Sequence, residues 1–228
     1  MEPYLRTAEQ TPAGVHWEVL KGRVSRFHHL AHGTLGIVYA LARIGRAADR
    51  ADFVELARAG AADVVARNEA GPAGFLVPHS DPQDYPEVTA RYNYGWCHGP
   101  AGDAQVFRLL REVFDDPAWQ DLADRCWHTV TRSGLPRRLR PGFWDNSGRC
   151  CGTAGVLALA CDRMAEQGDP RTSRGSSSRT SSATRPGTPT ACDGRTSNTG
   201  PRRVFSNPAP VGPWAMPASC ASCCASYA

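Results

Sequence analysis

Residues 148–156 read "GRCCGTAGV", and the pair Cys150–Cys151 directly before a Gly-Thr-Ala-Gly turn decides how the rest of the chain is read. Adjacent cysteines rarely bridge each other, because the peptide between them resists disulfide geometry. The pair is therefore buried packing, reactive thiols, or ligands. Two further stretches align with it without gaps: "AHGTLGI" at 31–37 and "CHGPAGD" at 97–103. The shared frame is x-x-Gly-x-x-Gly, recurring about every 50–65 residues, a length that suits two helices and their connections. That is the unit of an α/α repeat fold.

The segments between the frames fit this unit. "TLGIVYALARIG" after the first frame is apolar nearly all round, the pattern of a helix buried on every side. From Asp49 the next segment gathers Phe53, Leu56, Ala57, Ala61, Val64 and Val65 on one stripe, as an outer, half-exposed helix does. "AQVFRLLREVF" after the second frame is again strongly apolar. It is followed by "DDPAWQDLADRCWHTV", with Asp116 as the expected N-cap, Pro117 at the first helical position and Trp119, Leu122, Cys126 and Val130 as the stripe. "VLALACDRMAE" after the third frame reads as another inner helix. Inner and outer helices in alternation predict an all-α chain, an incomplete α/α toroid built of helical hairpins, spanning residues 1–167.

Composition narrows the function. The formal net charge of +4 is misleading, because residues 1–168 carry 19 Lys+Arg against 20 Asp+Glu and the excess lies beyond them. No basic face argues for nucleic acid. The opening "MEPYLRTAEQTPAG" has neither a basic start nor an apolar run, and no segment approaches 18 consecutive apolar residues, so neither a signal peptide nor a membrane span is expected. Nine cysteines without export signals point to reduced thiols in a cytoplasm.

Residues 168–228 change character. After 14 Leu in the first 168 residues the rest has none, and Ile, Lys and Glu are missing too. Such a composition cannot bury enough apolar surface to offset chain entropy, so a low-complexity, disordered tail is expected. A shifted reading frame in GC-rich DNA would also yield this Arg/Ser/Thr/Pro/Ala mixture. Cys220, Cys223 and Cys224 there have metal-like spacing but no second ligand pair.

Each frame sits where an inner helix begins, and in a toroid those helices converge at one end. His32, Cys97, His98, Cys150 and Cys151 would then meet around a common centre. Thiolates are favoured at helix N-termini, and converging Cys and His are what zinc needs; three protein ligands with a fourth position open would make the site catalytic. His28 and His29 lie outside the frame and read as structural. "PHSDPQDYPE" at 78–87 offers His79, Asp81 and Asp84 but reads as a Pro-rich connecting loop. Trp144, Asp145 and Asn146 are expected to shape the approach to the third frame.

"LAHGTLGI" (30–37), "GWCHGPAG" (95–102) and "GFWDNSGRCCGTAGV" (142–156) together resemble the lanthionine synthetase C-like (LanC-like) family, over roughly residues 24–166. The resemblance implies an α/α toroid with a central zinc ion. The implied activity is addition of a cysteine thiol to dehydroalanine or dehydrobutyrine, as in the thioether-forming cyclisation of lanthipeptide biosynthesis. It also implies Cys97, Cys150 and Cys151 as zinc ligands, in a Cys-Cys-Gly subtype, and His32 in proton transfer, with His98 beside it. The implied partner is a dehydrated peptide or a small thiol such as glutathione.

The departures are specific. Family toroids have about seven hairpins where this sequence shows three frames, an acidic residue of the family's N-terminal half has no identified counterpart, and Asn93 stands where an Arg is common. A truncated member, or one whose ring a partner chain completes, is therefore expected. Two functions remain open: the thiol-addition enzyme, and a non-catalytic zinc-binding or regulatory module. A glycosidase or terpene cyclase on an α/α toroid would want paired carboxylates or an Asp-rich motif at an inner-helix start, and neither is there.

Overall fold

The structure, a computed structural model, describes residues 2–87, 89–135 and 147–168. Among them are six helices: α1 (Glu2–Arg6), α2 (Thr34–Ala47), α3 (Ala51–Val65), α4 (Pro100–Phe114), α5 (Pro117–Arg132) and α6 (Thr153–Gly168). Trp144, Asp145, Asn146, the three cysteines near the C-terminus and the whole of 169–228 lie outside the described residues.

The helices pack as the frames predict. α2 pairs with α3 and α4 with α5 as hairpins, while α4 lies against both α2 and α6. The inner layer is thus α2–α4–α6, with α3 and α5 outside it. Leu35, Val38 and Leu41 of α2 share one buried core with Ala57, Ala61 and Val64 of α3, and the Phe107 ring of α4 has Phe75 and Trp119 at 4.9 and 6.2 Å between centroids. Full burial of each such large apolar side chain is worth about 1.5–3 kcal/mol. α5 starts as its sequence dictates: the Asp116 carboxylate accepts from the Ala118 N–H at 2.9 Å, and Pro117 opens the helix.

The repeated glycines have a steric reason. A Cβ on Gly36, Gly102 or Gly155 would lie 2.2, 1.9 or 2.2 Å from the carbonyl oxygen of Leu30, Trp96 or Arg149 respectively. In all three frames the obstacle is the carbonyl six residues earlier, so the loop entering each inner helix folds back onto the helix's first turn. The three entries are also tied together. The Ala31 N–H donates to the Cys97 carbonyl at 3.1 Å, and the Cys97 N–H donates to the Cys150 carbonyl at 3.1 Å. Equivalent positions of successive frames are thus linked in register.

The all-α expectation holds among the described residues, with two antiparallel pairs of two-residue strands beside the helices, β1 (Glu9–Gln10) with β2 (Val15–His16) and β3 (Arg26–Phe27) with β4 (Ser80–Asp81). Two finer expectations are corrected. α2 is not buried on every side: Ile44 is 40% exposed, while Gly45 beside it is buried against Val54 and Phe53 of α3. α6 buries only Gly155 and Leu159, leaving Leu157 61% and Met164 73% exposed, because among the described helices it packs chiefly on α4. Ion pairs help fasten it: Arg108 of α4 with Asp162 and Glu166, and Arg163 with Asp124 of α5.

Candidate metal centre

The starts of α4 and α6 bring Cys97, Cys150 and Cys151 together, with all three sulfurs within 4.8 Å of one another. Cys97 Sγ lies 3.3 Å from Cys151 Sγ, and Cys151 Sγ lies 3.5 Å from Cys150 Sγ. Cys97 and Cys151 are buried, while Cys150 is partly exposed. Four sulfurs at about 2.3 Å from a tetrahedral zinc stand about 3.8 Å apart, so this triangle has the dimensions of a three-thiolate zinc site. Soft thiolates also select zinc over magnesium or calcium. The residues present fit the metal, and the cluster can hold one.

The protons within the triangle are unequally shared. Hydrogen bonds from Cys151, Cys97 and His32 hold the Cys150 thiol well below the usual thiol range. Hydrogen bonding with Cys150 and Cys151, with burial added, pushes the Cys97 thiol up.

Imidazoles line one flank. The His32 ring, at the end of the loop before α2, stacks on His98 at 4.7 Å between centroids and 17° between planes. His79 packs on the other side of His98 at 4.0 Å, and His29 meets His98 edge-on at 6.2 Å. Burial pushes His98 well below the ordinary imidazole value and His79 down to about 4, with His29 and His32 adding to the effect on both. The His79 and His98 rings are therefore neutral at neutral pH.

The structure thus brings together all five residues singled out from the frames, and it adds one the sequence did not reveal. His79 sits in the Pro-rich segment read as a connecting loop, yet it is buried and touches His98. Asp81 and Asp84 of that segment point outward to Arg67 and Arg23. The signal available for His79 was the pairing of its neighbour Ser80 with Phe27, just before the first frame. A two-residue strand leaves no periodicity to read. His28, read as structural, is wholly buried, and burial pushes it down to about 2. Asn93 is buried, its side-chain oxygen accepting from the Gly95 N–H at 2.8 Å, so it shapes the loop before Cys97.

Stacked helical hairpins with a thiol cluster at the entries of the inner helices define a class: an α/α-repeat protein with a cysteine site able to hold a metal. Residues 85–172 match the family model described as lanthionine synthetase C-like protein, and over that stretch the chain is similar to this family. The match takes in all three clustered cysteines, while the first frame and His32 precede it. No curated protein matches the chain. No helix among the described residues is long and apolar enough to cross a membrane.

Proposed function

We propose that this LanC-like chain binds zinc through Cys97, Cys150 and Cys151 and adds a cysteine thiol to dehydroalanine or dehydrobutyrine in a peptide. The observation that carries this reading is the three-sulfur triangle, partly open at Cys150 and flanked by the stacked imidazoles of His32 and His98. Bound zinc would supply Lewis-acid activation, lowering the proton affinity of a substrate thiol so that it is a nucleophile at neutral pH.

The chain's own residues supply the rest. In the addition the sulfur forms a bond to the β-carbon of the alkene, and the π pair moves onto the neighbouring carbonyl as an enolate. One proton leaves the thiol and one returns to the α-carbon, so the reaction is redox-neutral and releases nothing. His32 is hydrogen-bonded to Cys150 and partly exposed, which suits it to take the thiol proton or return one to carbon. His98, buried and held neutral, backs the His32 ring and limits water on that side. Linking two residues of one peptide would form a thioether ring; a free thiol such as glutathione would give an adduct instead.

The test is elemental analysis of the full chain, followed by incubation with a dehydrated model peptide containing one cysteine. About one zinc per chain is expected, lost in the variant Cys150→Ala/Cys151→Ala. The expected product has lost its free thiol at unchanged mass. Zinc without product would identify a non-catalytic zinc-binding module, and absence of zinc would sink the reading altogether.

A further inference from the structure

Asp103 is an odd residue for its position. It lies in the first turns of α4 among Ala101, Ala104, Val106 and Phe107, wholly buried, where an apolar side chain would cost less. Its Oδ2 lies 2.7 Å from Nδ1 of His29, which is also wholly buried. The other ring nitrogen of His29, Nε2, is 3.2 Å from the Pro78 carbonyl oxygen. A carbonyl only accepts, so Nε2 carries a hydrogen. A second proton must lie between Nδ1 and Oδ2. Whichever atom owns it, the pair as a unit is neutral, which makes its burial tolerable.

The Pro78 carbonyl belongs to the same peptide plane as the His79 N–H, and that N–H donates to the Arg91 carbonyl at 2.7 Å. The plane is therefore pinned at both ends, on one side by the Asp103–His29 pair. His79 leaves this pinned plane to pack at 4.0 Å on His98, which stacks on His32, which bonds Cys150.

We propose that Asp103 and His29 are a positioning pair: through the Pro78–His79 peptide they set the imidazole flank against the thiol cluster. The proposal deepens the thiol-addition reading and rests on it for its functional consequence. Asp103 touches none of the reacting groups; it acts through His29 and the peptide.

The deciding comparison is Asp103→Asn against Asp103→Leu in the full chain. Asparagine can donate from its amide to Nδ1 of a neutral His29 whose Nε2–H still reaches Pro78, so the geometry survives without the carboxylate. Leucine cannot. Nitrogen-15 spectra of the histidine rings read the flank directly, beside zinc content and the rate of addition to the dehydrated model peptide. Asp103→Asn should keep the His79 and His98 ring signals and stay within about threefold of the wild-type rate. Asp103→Leu should shift or broaden those signals and lose at least tenfold in rate, with zinc retained in both. His79→Ala should leave the His29 ring signals in place, because the dependence runs from the pair to His79.

Unmoved His79 and His98 signals in Asp103→Leu would overturn the proposal. So would Asp103→Asn losing the flank's signals or falling tenfold in rate, an outcome that remains decisive even where the leucine variant does not fold. A wild type without thiol addition would overturn the reaction reading, while the ring spectra would still decide whether the pair positions the flank.

Discussion

The thiol side and the imidazole side of the site are built by different means. Cys97, Cys150 and Cys151 all come from the repeated frame, held by backbone hydrogen bonds between frames and by loops folded tightly onto helix starts. The imidazoles come from three kinds of place. His32 and His98 belong to the frame, His29 lies just outside it, and His79 arrives from the segment between α3 and α4, fixed by a strand pair and a buried Asp–His contact. Geometry given by repetition is rigid because the backbone carries it. Geometry delivered by a loop depends on particular side chains.

The largest effect should fall on the metal, and it separates the two sides. Cys97→Ala is expected to lose zinc almost completely on elemental analysis, whereas His79→Ala should keep about one zinc per chain. Loss of metal in both would mean that the flank also holds the cluster.

Acid tests the buried imidazoles. Folded His28 and His79 are held down to about 2 and about 4, against 6.5 ordinarily. Below pH 6.5 the unfolded chain takes up protons that these folded rings refuse, so stability should fall as pH falls. The slope is about 1.4 kcal/mol per pH unit for each ring, with the His79 share ending near pH 4. Urea midpoints between pH 8 and 5 should thus register a loss of about 4 kcal/mol at pH 5 from the two together. A flat profile would show that water or a cation already serves those rings.

The frame itself is tested by Gly102→Ala, whose Cβ would meet the Trp96 carbonyl at 1.9 Å. Backbone cannot rotate aside as a side chain does, so a loss of about 3 kcal/mol is expected by urea unfolding. Gly168→Ala, with nothing within 4 Å, should change little. The smallest effect belongs to a residue of neither side: Asp116→Ala removes the α5 cap and should cost about 1 kcal/mol while leaving zinc content untouched.

Repetition also explains what the sequence made legible. The frames located the inner helices and the five residues that the structure brings together, and the cap residues located the Asp116–Pro117 start, because glycine spacing, caps and apolar stripes are local signals. The strand pairs were not legible, since two residues each carry no alternation to detect. The exposed face of α6 was missed because apolar content alone does not say how many neighbours a helix finds. Nor was the tie from Asp103 to His29, which joins positions 74 residues apart and depends on which way α4 faces.

The register linking Ala31, Cys97 and Cys150 has one more consequence. Because these positions occupy matching seats, and His32, His98 and Cys151 occupy the seats beside them, the entries form a row of interchangeable sockets. What stands in each socket determines the chemistry, while the row itself stays the same. Because backbone hydrogen bonds carry the row, exchanging a thiol for an imidazole at one seat should change the ligand set while leaving the helices that carry it in place.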